Sequence, residues 1–352
     1  MRALGSSRTA VLGALAALGT ATVTAFASAN REAPATVRAI TTVQSPAPTV
    51  EPKPVPLPHD WRVGTRYHVE HTRTRESFRD GTEPVTSFTT TPVEVEVLAR
   101  RSDGYTVRWT YGKPNASTPS GVSAVLSEAV VGLVTGLVTD MTTDATGSIV
   151  GLADSAAVER HFADASRRVI ASLRASGGAT DEQLTAIAAT TSRMKGDALA
   201  AAYLPAPKAF YMPSGAALVP GVRRTYEDRL PNPFGGDPLP SVASLELRDV
   251  KLDARRATVE WRHTIDPTKA GPILEASIRA FAKKNGQELP AEAALSFDAI
   301  EDAATYVYDL DTGVPIRVVT TRSTSMAGTR QIETNLFTTS AYRYEPPTPA
   351  SK

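Results

Sequence analysis

Any chemistry in this chain has to come from a short inventory. It holds five histidines (His59, His68, His71, His161 and His263) and no cysteine. A thiol nucleophile, a disulfide and a cysteine-bound metal are thereby excluded. His68 and His71 lie three apart on an expected strand, so they point to opposite faces and cannot share a metal. His161 adjoins Phe162 on a helical stripe and is expected to face solvent. His263 continues the inward side of Val259 and Trp261, where a buried, hydrogen-bonded histidine is the simplest account. No nucleophile or second ligand is placed beside it by sequence, and no catalytic residue, metal ligand or cofactor site is assigned.

Three short motifs invite chemical readings and fail them. Ser192-Arg193-Met194-Lys195 has the spacing of a serine acyl-enzyme, but its companion S-D-N and K-T-G elements are missing. Asp309-Leu310-Asp311-Thr312-Gly313 opens like a calcium loop, yet the later acidic ligands do not follow. A hairpin turn explains it, because Asp caps its own turn and Gly takes positive φ. Gly132 and Gly136 match a small-xxx-small membrane motif, but Glu128 and Asp140 bracket a run too short to span a bilayer. The chain carries no G-x-S-x-G, P-loop, H-E-x-x-H or C-x-x-C.

The aromatics say more. Tyr105, Trp109, Tyr111, Trp261, Phe297 and Tyr306, with His263, lie on expected strands and on faces that can turn inward. They either fill a core or line an apolar cavity. The second alternative makes them candidate contacts for a hydrophobic small molecule or lipid.

The elements that position them follow from periodicity. Tyr105, Val107, Trp109 and Tyr111 alternate with polar residues, as Val93, Val95 and Val97 alternate with Glu94 and Glu96. Ser102-Asp103-Gly104 turns between them, which makes a hairpin. The hairpin recurs without gaps: Thr258-Val259-x-Trp261 matches Thr106-Val107-x-Trp109, and Leu245-Glu246-Leu247 matches Val93-Glu94-Val95. A glycine-led strand precedes each hairpin (Gly64, Gly221), and a strand-turn-strand follows each (Asp144 to Gly147, Asp311 to Gly313). This pattern implies internal duplication. Asp154 caps a helix reaching Ser176, with Val158, Phe162, Ala165, Val169 and Leu173 inward. Thr180 and Gln183 form a capping box for a second helix carrying Leu184, Ile187, Thr191 and Met194. A third is expected after Pro272, with Leu274, Ile278 and Phe281, ending at Asn285-Gly286. Three closing strands, 295–309, 314–324 and 329–342, imply a meander.

The fold class is therefore α+β: a long curved antiparallel sheet of about eleven strands, internally duplicated and wrapped around three or four helices. This order of elements resembles the incomplete β-barrel of the periplasmic lipoprotein-carrier superfamily. The Thr-Val-x-Trp strands and Asp-x-x-Gly hairpin are also similar to uncharacterised extracytoplasmic bacterial proteins. The carrier resemblance implies a curved sheet around helices, an apolar cavity and a hydrophobic ligand.

Arg2 and Arg8, an apolar run from Ala10 to Phe26 and the Ala27-Ser28-Ala29 site read as a signal peptide, residues 1–29. Residues 30–58 are proline-rich and expected to be an extended spacer outside any sheet. One duplicated domain spans 59–345, with halves of about 59–153 and 219–345 joined by a helical connection, 154–204; residues 346–352 form a tail. The net charge of +1, from 38 basic and 37 acidic side chains, gives no field to collect nucleic acid. The mature chain has no expected membrane span. The leading expectation is a non-enzymatic exported binding protein, periplasmic or secreted, for a hydrophobic or lipid-like ligand. An envelope protein-interaction module with a packed core is the alternative, and a hydrolase the third. Exported protein is expected to begin at Asn30; an intact mass retaining residues 1–29 would contradict the cleavage.

Overall fold

The first long strand of the folded body lies beside the last. The computed structural model describes residues 53–57, 61–79, 83–117, 131–177, 179–192, 195–230, 232, 237–284, 297–326 and 329–345. The expected signal peptide, the spacer through 52, His59, Met194, Asn285-Gly286 and the tail lie outside the described residues.

The strands are β1 (Val55–Pro56), β2 (Thr65–Arg79), β3 (Val85–Arg101), β4 (Gly104–Tyr111), β5 (Asn115–Ala116), β6 (Val138–Thr143) and β7 (Ile149–Leu152). Helices α1 (Ser155–Ala175), α2 (Asp181–Ser192), α3 (Asp197–Tyr203) and α4 (Pro205–Tyr211) follow. Then come β8 (Ala217–Leu218), β9 (Arg223–Leu230), β10 (Leu239–Lys251), β11 (Arg256–Ile265), α5 (Pro267–Lys284), β12 (Phe297–Asp309), β13 (Pro315–Met326) and β14 (Thr329–Tyr344). Among the described residues, a sheet of 12 strands runs β7-β6-β4-β3-β2-β14-β13-β12-β11-β10-β9, with β5 on β3. Every pairing in it is antiparallel, and β7 and β9 remain edges, so the sheet is open.

Alternation places the core on one face. Tyr105, Val107, Trp109 and Tyr111 of β4 are buried with Val93, Val95 and Val97 of β3, Tyr67 and Val69 of β2, and Tyr306 and Tyr308 of β12. Helices close this face from above. Phe210 and Tyr211 of α4 sit edge-on to Trp109, with ring centroids at 5.8 and 6.3 Å. The Tyr306 hydroxyl donates to the Ala209 carbonyl at 2.9 Å, and the hydroxyls of Tyr67 and Tyr211 hydrogen-bond. Tyr203 of α3 packs against Tyr111 and Phe162. A satellite core of Leu230, Leu239, Ile265, Ala270, Leu274 and Ile300 lies where α5 meets β10 and β12.

The helix starts follow their caps. Asp154 accepts from Ala157 N at 2.8 Å, and Thr180 and Gln183 form the reciprocal capping box. The turns at Asp144 and Asp309 are built by their own carboxylates. Asp144 Oδ1 accepts from the Thr146 and Ser148 amides, and Asp309 Oδ1 from those of Asp311 and Thr312. A hairpin turn thus accounts for the calcium-like motif.

Three sequence expectations need correction. The proline-rich arm does join a sheet at its end: β1 pairs with β8, and Leu57 is buried. Proline's missing donor is harmless there, because Leu57 supplies the bonds, donating to Ala216 O (2.8 Å) and accepting from Gly215 N (3.1 Å). The helix expected after Pro272 starts five residues earlier. Asp266 caps it through the Thr268 and Lys269 amides, Pro267 opens it, and Pro272 lies inside. The helical connection also continues past 204 into α4, whose Phe210 and Tyr211 complete the core.

Trp109 is completely buried among rings, so Trp109→Ala is expected to cost about 3–5 kcal/mol, read as a lowered urea midpoint. A loss below about 1 kcal/mol would mean the site is not packed as described.

Candidate functional site: a charged row on the inward face

Past the aromatic core, the inward face of the central strands turns polar. Burial alternates along β2 from Thr65 to Glu70, then stops: residues 71–78 are all half-buried. In phase with Tyr67 and Val69 stand His71, Arg73, Arg75 and Ser77. Sheet register carries these residues into rows across the molecule. Tyr226, Ala243, His263, Asp302, Arg322, Glu333, Arg75 and Ser87 stand directly opposite one another in turn, from β9 to β3. The row nearer the core runs Leu245, Trp261, Ala304, Thr320, Asn335, Arg73 and Thr89.

Ion pairs knit the charged row. Arg322 grips Asp302 with both Nε and Nη2, Nε reaching Oδ1 at 2.6 Å. Arg73 and Arg75 both donate to one oxygen, Glu333 Oε2, at 2.6 and 2.9 Å. The side chains of Arg73, Arg75, Glu333 and Arg322 keep between 18% and 28% exposure, so solvent still reaches them. Burial pushes the Glu333 carboxyl up, but the two guanidiniums overrule it and hold it at about 2. Burial likewise opposes the charge of Arg322, and Asp302 more than restores it. His71 stacks on Phe337, with ring centroids 4.3 Å apart, and its Nε2 lies 3.0 Å from Asn335 Oδ1. Burial lowers its pKa to about 4, only partly offset by that hydrogen bond, so the ring is neutral at pH 7 and Nε2 donates.

At the row's other end, His263 is buried with Nε2 2.8 Å from Ser241 Oγ, and Asp228 Oδ2 approaches the same nitrogen at 3.8 Å. A hydroxyl, imidazole and carboxylate therefore meet, but not in acyl-transfer order. That chemistry needs the acid on the opposite ring nitrogen and donors aimed at an oxyanion. Ser241 is itself buried near the start of β10, paired with Asp228 on one side and Ile265 on the other. The Ser192 hydroxyl donates to Ala189 O at 2.9 Å, the ordinary engagement of a helical serine.

Four of the seven sequence candidates, Tyr105, Trp109, Tyr111 and Tyr306, belong to one buried cluster, and Trp261 packs against it. Tyr105, Trp109 and Tyr111 pack with α3 and α4 under the first strands, and Tyr306 packs beneath α4 and beside Tyr308. Trp261 is half-buried, its Nε1 donating to the Tyr226 hydroxyl at 3.3 Å, and it tilts against His263 at 5.3 Å. Phe297 opens β12, and its side chain lies outside the described residues. His161, expected in solvent, is half-buried in a recess of about 350 Å³ that it lines with Arg108, Val138, Asp140, Asp154 and Ala157. Arg73, Arg75, Asp302, Arg322 and Glu333 escaped the sequence reading. Their signal was phase: each shares strand parity with an inward apolar residue, such as Val69, Tyr306, Val318 or Phe337.

No family model matches the chain, that of the lipoprotein carriers included, and no curated protein matches it. Among solved structures, lipovitellin, described as "lipid-protein interactions in lipovitellin", is similar at TM-score 0.43 and 5% identity. That likeness covers 83% of this chain and 27% of that one, so the chain spans about a quarter of the lipovitellin chain's length. Ail, the attachment invasion locus protein of Yersinia pestis, is similar at TM-score 0.14 and 5% identity, over 78% of this chain and 97% of that one. An outer membrane channel from Pseudomonas putida F1 gives TM-score 0.17 and 7% identity, over 84% and 100%. Likenesses at this level carry no argument about function. Among the described residues, no helix is long and apolar enough to cross a membrane.

Both titrations weaken the fold in acid. The unfolded chain protonates histidine near 6.5, so the stability tied to neutral His71 is whole above that pH and falls toward about 4. Glu333 contributes fully above its ordinary 4.5 and loses that contribution as pH falls toward about 2. Urea midpoints measured from pH 7 to pH 2.5 should decline through both windows. Glu333→Gln should flatten only the lower one; an unchanged slope there would contradict the pairing.

Proposed function

We propose that this chain is an exported, non-enzymatic binding protein that holds a lipid-like, amphipathic ligand against the inward face of its sheet. The observation that carries this reading is the charged row: a half-buried, solvent-reachable set of ion pairs on the same face as the core. Apolar groups flank it. Trp261, Leu245 and Ala304 lie on the core side, and Ile265 and Ile300 on the other. A ligand with a polar end and an apolar body matches that surface, whereas a wholly apolar one would strand the charges without water.

The aromatic candidates support a second reading. Tyr105, Trp109, Tyr111 and Tyr306 are buried against helix aromatics, as an interaction module with a packed core requires. Those rings are therefore assigned to the core, and the ligand to the row beside Trp261. The chain is further read as two copies of one unit. Bulges in β3 and β10 fall opposite the same places, Val107/Thr106 and Val259/Thr258, and His263 then stands where the first copy has Tyr111.

Protein purified from its exporting host should release an amphiphile on organic extraction, seen by mass spectrometry. Stripped protein should take up a fluorescent fatty acid saturably, and Trp261→Ala should weaken that uptake. No extractable ligand together with no saturable uptake would end this reading.

A further inference from the structure

Resting on that reading, we propose that the charged row is a headgroup site for an anionic amphiphile, a carboxylate or phosphate carried on an aliphatic tail. Arg75 and Arg73 receive the anion, and Glu333 is the internal counter-ion that it displaces. Three features of the row select this class over a neutral or cationic headgroup.

The first is charge. On β2, β14 and β13 the row and its neighbour hold the guanidiniums of Arg73, Arg75 and Arg322, while Glu333 and Asp302 are the carboxylates in contact with them. Asp302 is fully committed to Arg322 through both oxygens. Glu333 Oε2 accepts from both Arg73 and Arg75. The second is unused donor capacity. Arg75 has a buried Nε with no acceptor, and a guanidinium fork is shaped to take a carboxylate or phosphate by two parallel bonds. The third is access. Arg75 is the least exposed of these arginines, yet its side chain keeps 18% exposure; Ser87 of β3 stands opposite it and Thr89 opposite Arg73. On the same face, beyond Asn335 and Thr320, Ala304 and Trp261 stand three and four strands from Arg73, and the tail is proposed to reach toward them.

The test is a displacement titration on the full chain with laurate, dodecyl phosphate, dodecanol and inorganic phosphate. It compares the wild type with Arg75→Met, Arg75→Lys and Glu333→Gln. Laurate and dodecyl phosphate should bind about tenfold more tightly than dodecanol, the worth of one charge-assisted hydrogen bond. Arg75→Met should remove that preference and leave dodecanol unchanged, and Arg75→Lys should keep part of it. Glu333→Gln should tighten the anions, because it deletes their competitor; a purely structural carboxylate would only destabilise the fold. Dodecanol binding as tightly as laurate to the wild type overturns the headgroup site while leaving lipid binding intact. Inorganic phosphate binding as tightly as dodecyl phosphate overturns the amphiphile. If none of the amphiphiles binds, the broader reading falls as well. The wild-type series decides between these outcomes even if a variant fails to fold.

Discussion

The pairing of β2 with β14 is the constraint on which the rest depends. It runs from Thr65 opposite Tyr344 to Arg79 opposite Thr329, and it joins the two ends of the folded body. Without it, the strands from β2 to β7 and those from β9 to β14 would be separate meanders with separate cores. With it they share one inward face, and α4 can lie against both β13 and β7. Such a seam must close across most of the chain before it gains any contact, so folding is expected to be governed by this late, non-local step.

The charged rows cross that seam and explain how its register is held. Arg73 and Arg75 on β2 meet Glu333 on β14, while Arg322 on β13 meets Asp302 on β12. A slip of one residue would throw every one of these groups to the other face, and a slip of two would break the alignment of Glu333 with its two arginines. Desolvation offsets part of the attraction in a partly buried ion pair, and a mispaired charge there is expensive. The inward charges thus favour one register over its neighbours. They also fill the strip between the aromatic core and the satellite core under α5, where neither apolar cluster fixes the alignment by itself.

Local features were legible in the sequence, and of the non-local ones only the single sheet was. The Val93–Val97 and Tyr105–Tyr111 hairpin, the Asp154 cap and the Thr180/Gln183 box each rest on neighbours a few residues apart. Trp109 and Trp261 do stand in one sheet, as alternation and the matching hairpins implied. The contribution of α3 and α4 was missed because their short apolar stretches, rich in alanine and proline, carry no clear stripe. Pro56 was read as barring a strand, although an edge strand of two residues needs no donor from it. Above all, Arg73, Arg75, Arg322 and Glu333 were passed over because a charge on a strand is ordinarily taken to face water. Strand parity marks these charges as inward, but only the register between β2 and β14, distant in sequence, shows that Arg73 and Arg75 meet Glu333.

The seam can be measured directly, since the chain has no native cysteine to interfere. Glu70 and Thr338 are exposed residues directly opposite each other on β2 and β14. Cysteines placed there and spin-labelled should sit on backbone positions about 5 Å apart. Adjacent β2 and β14 give strong dipolar broadening in the doubly labelled protein, lost on unfolding in urea. A spectrum equal to the sum of the two singly labelled proteins would show that β2 and β14 are not neighbours, and the shared inward face would be refuted with them.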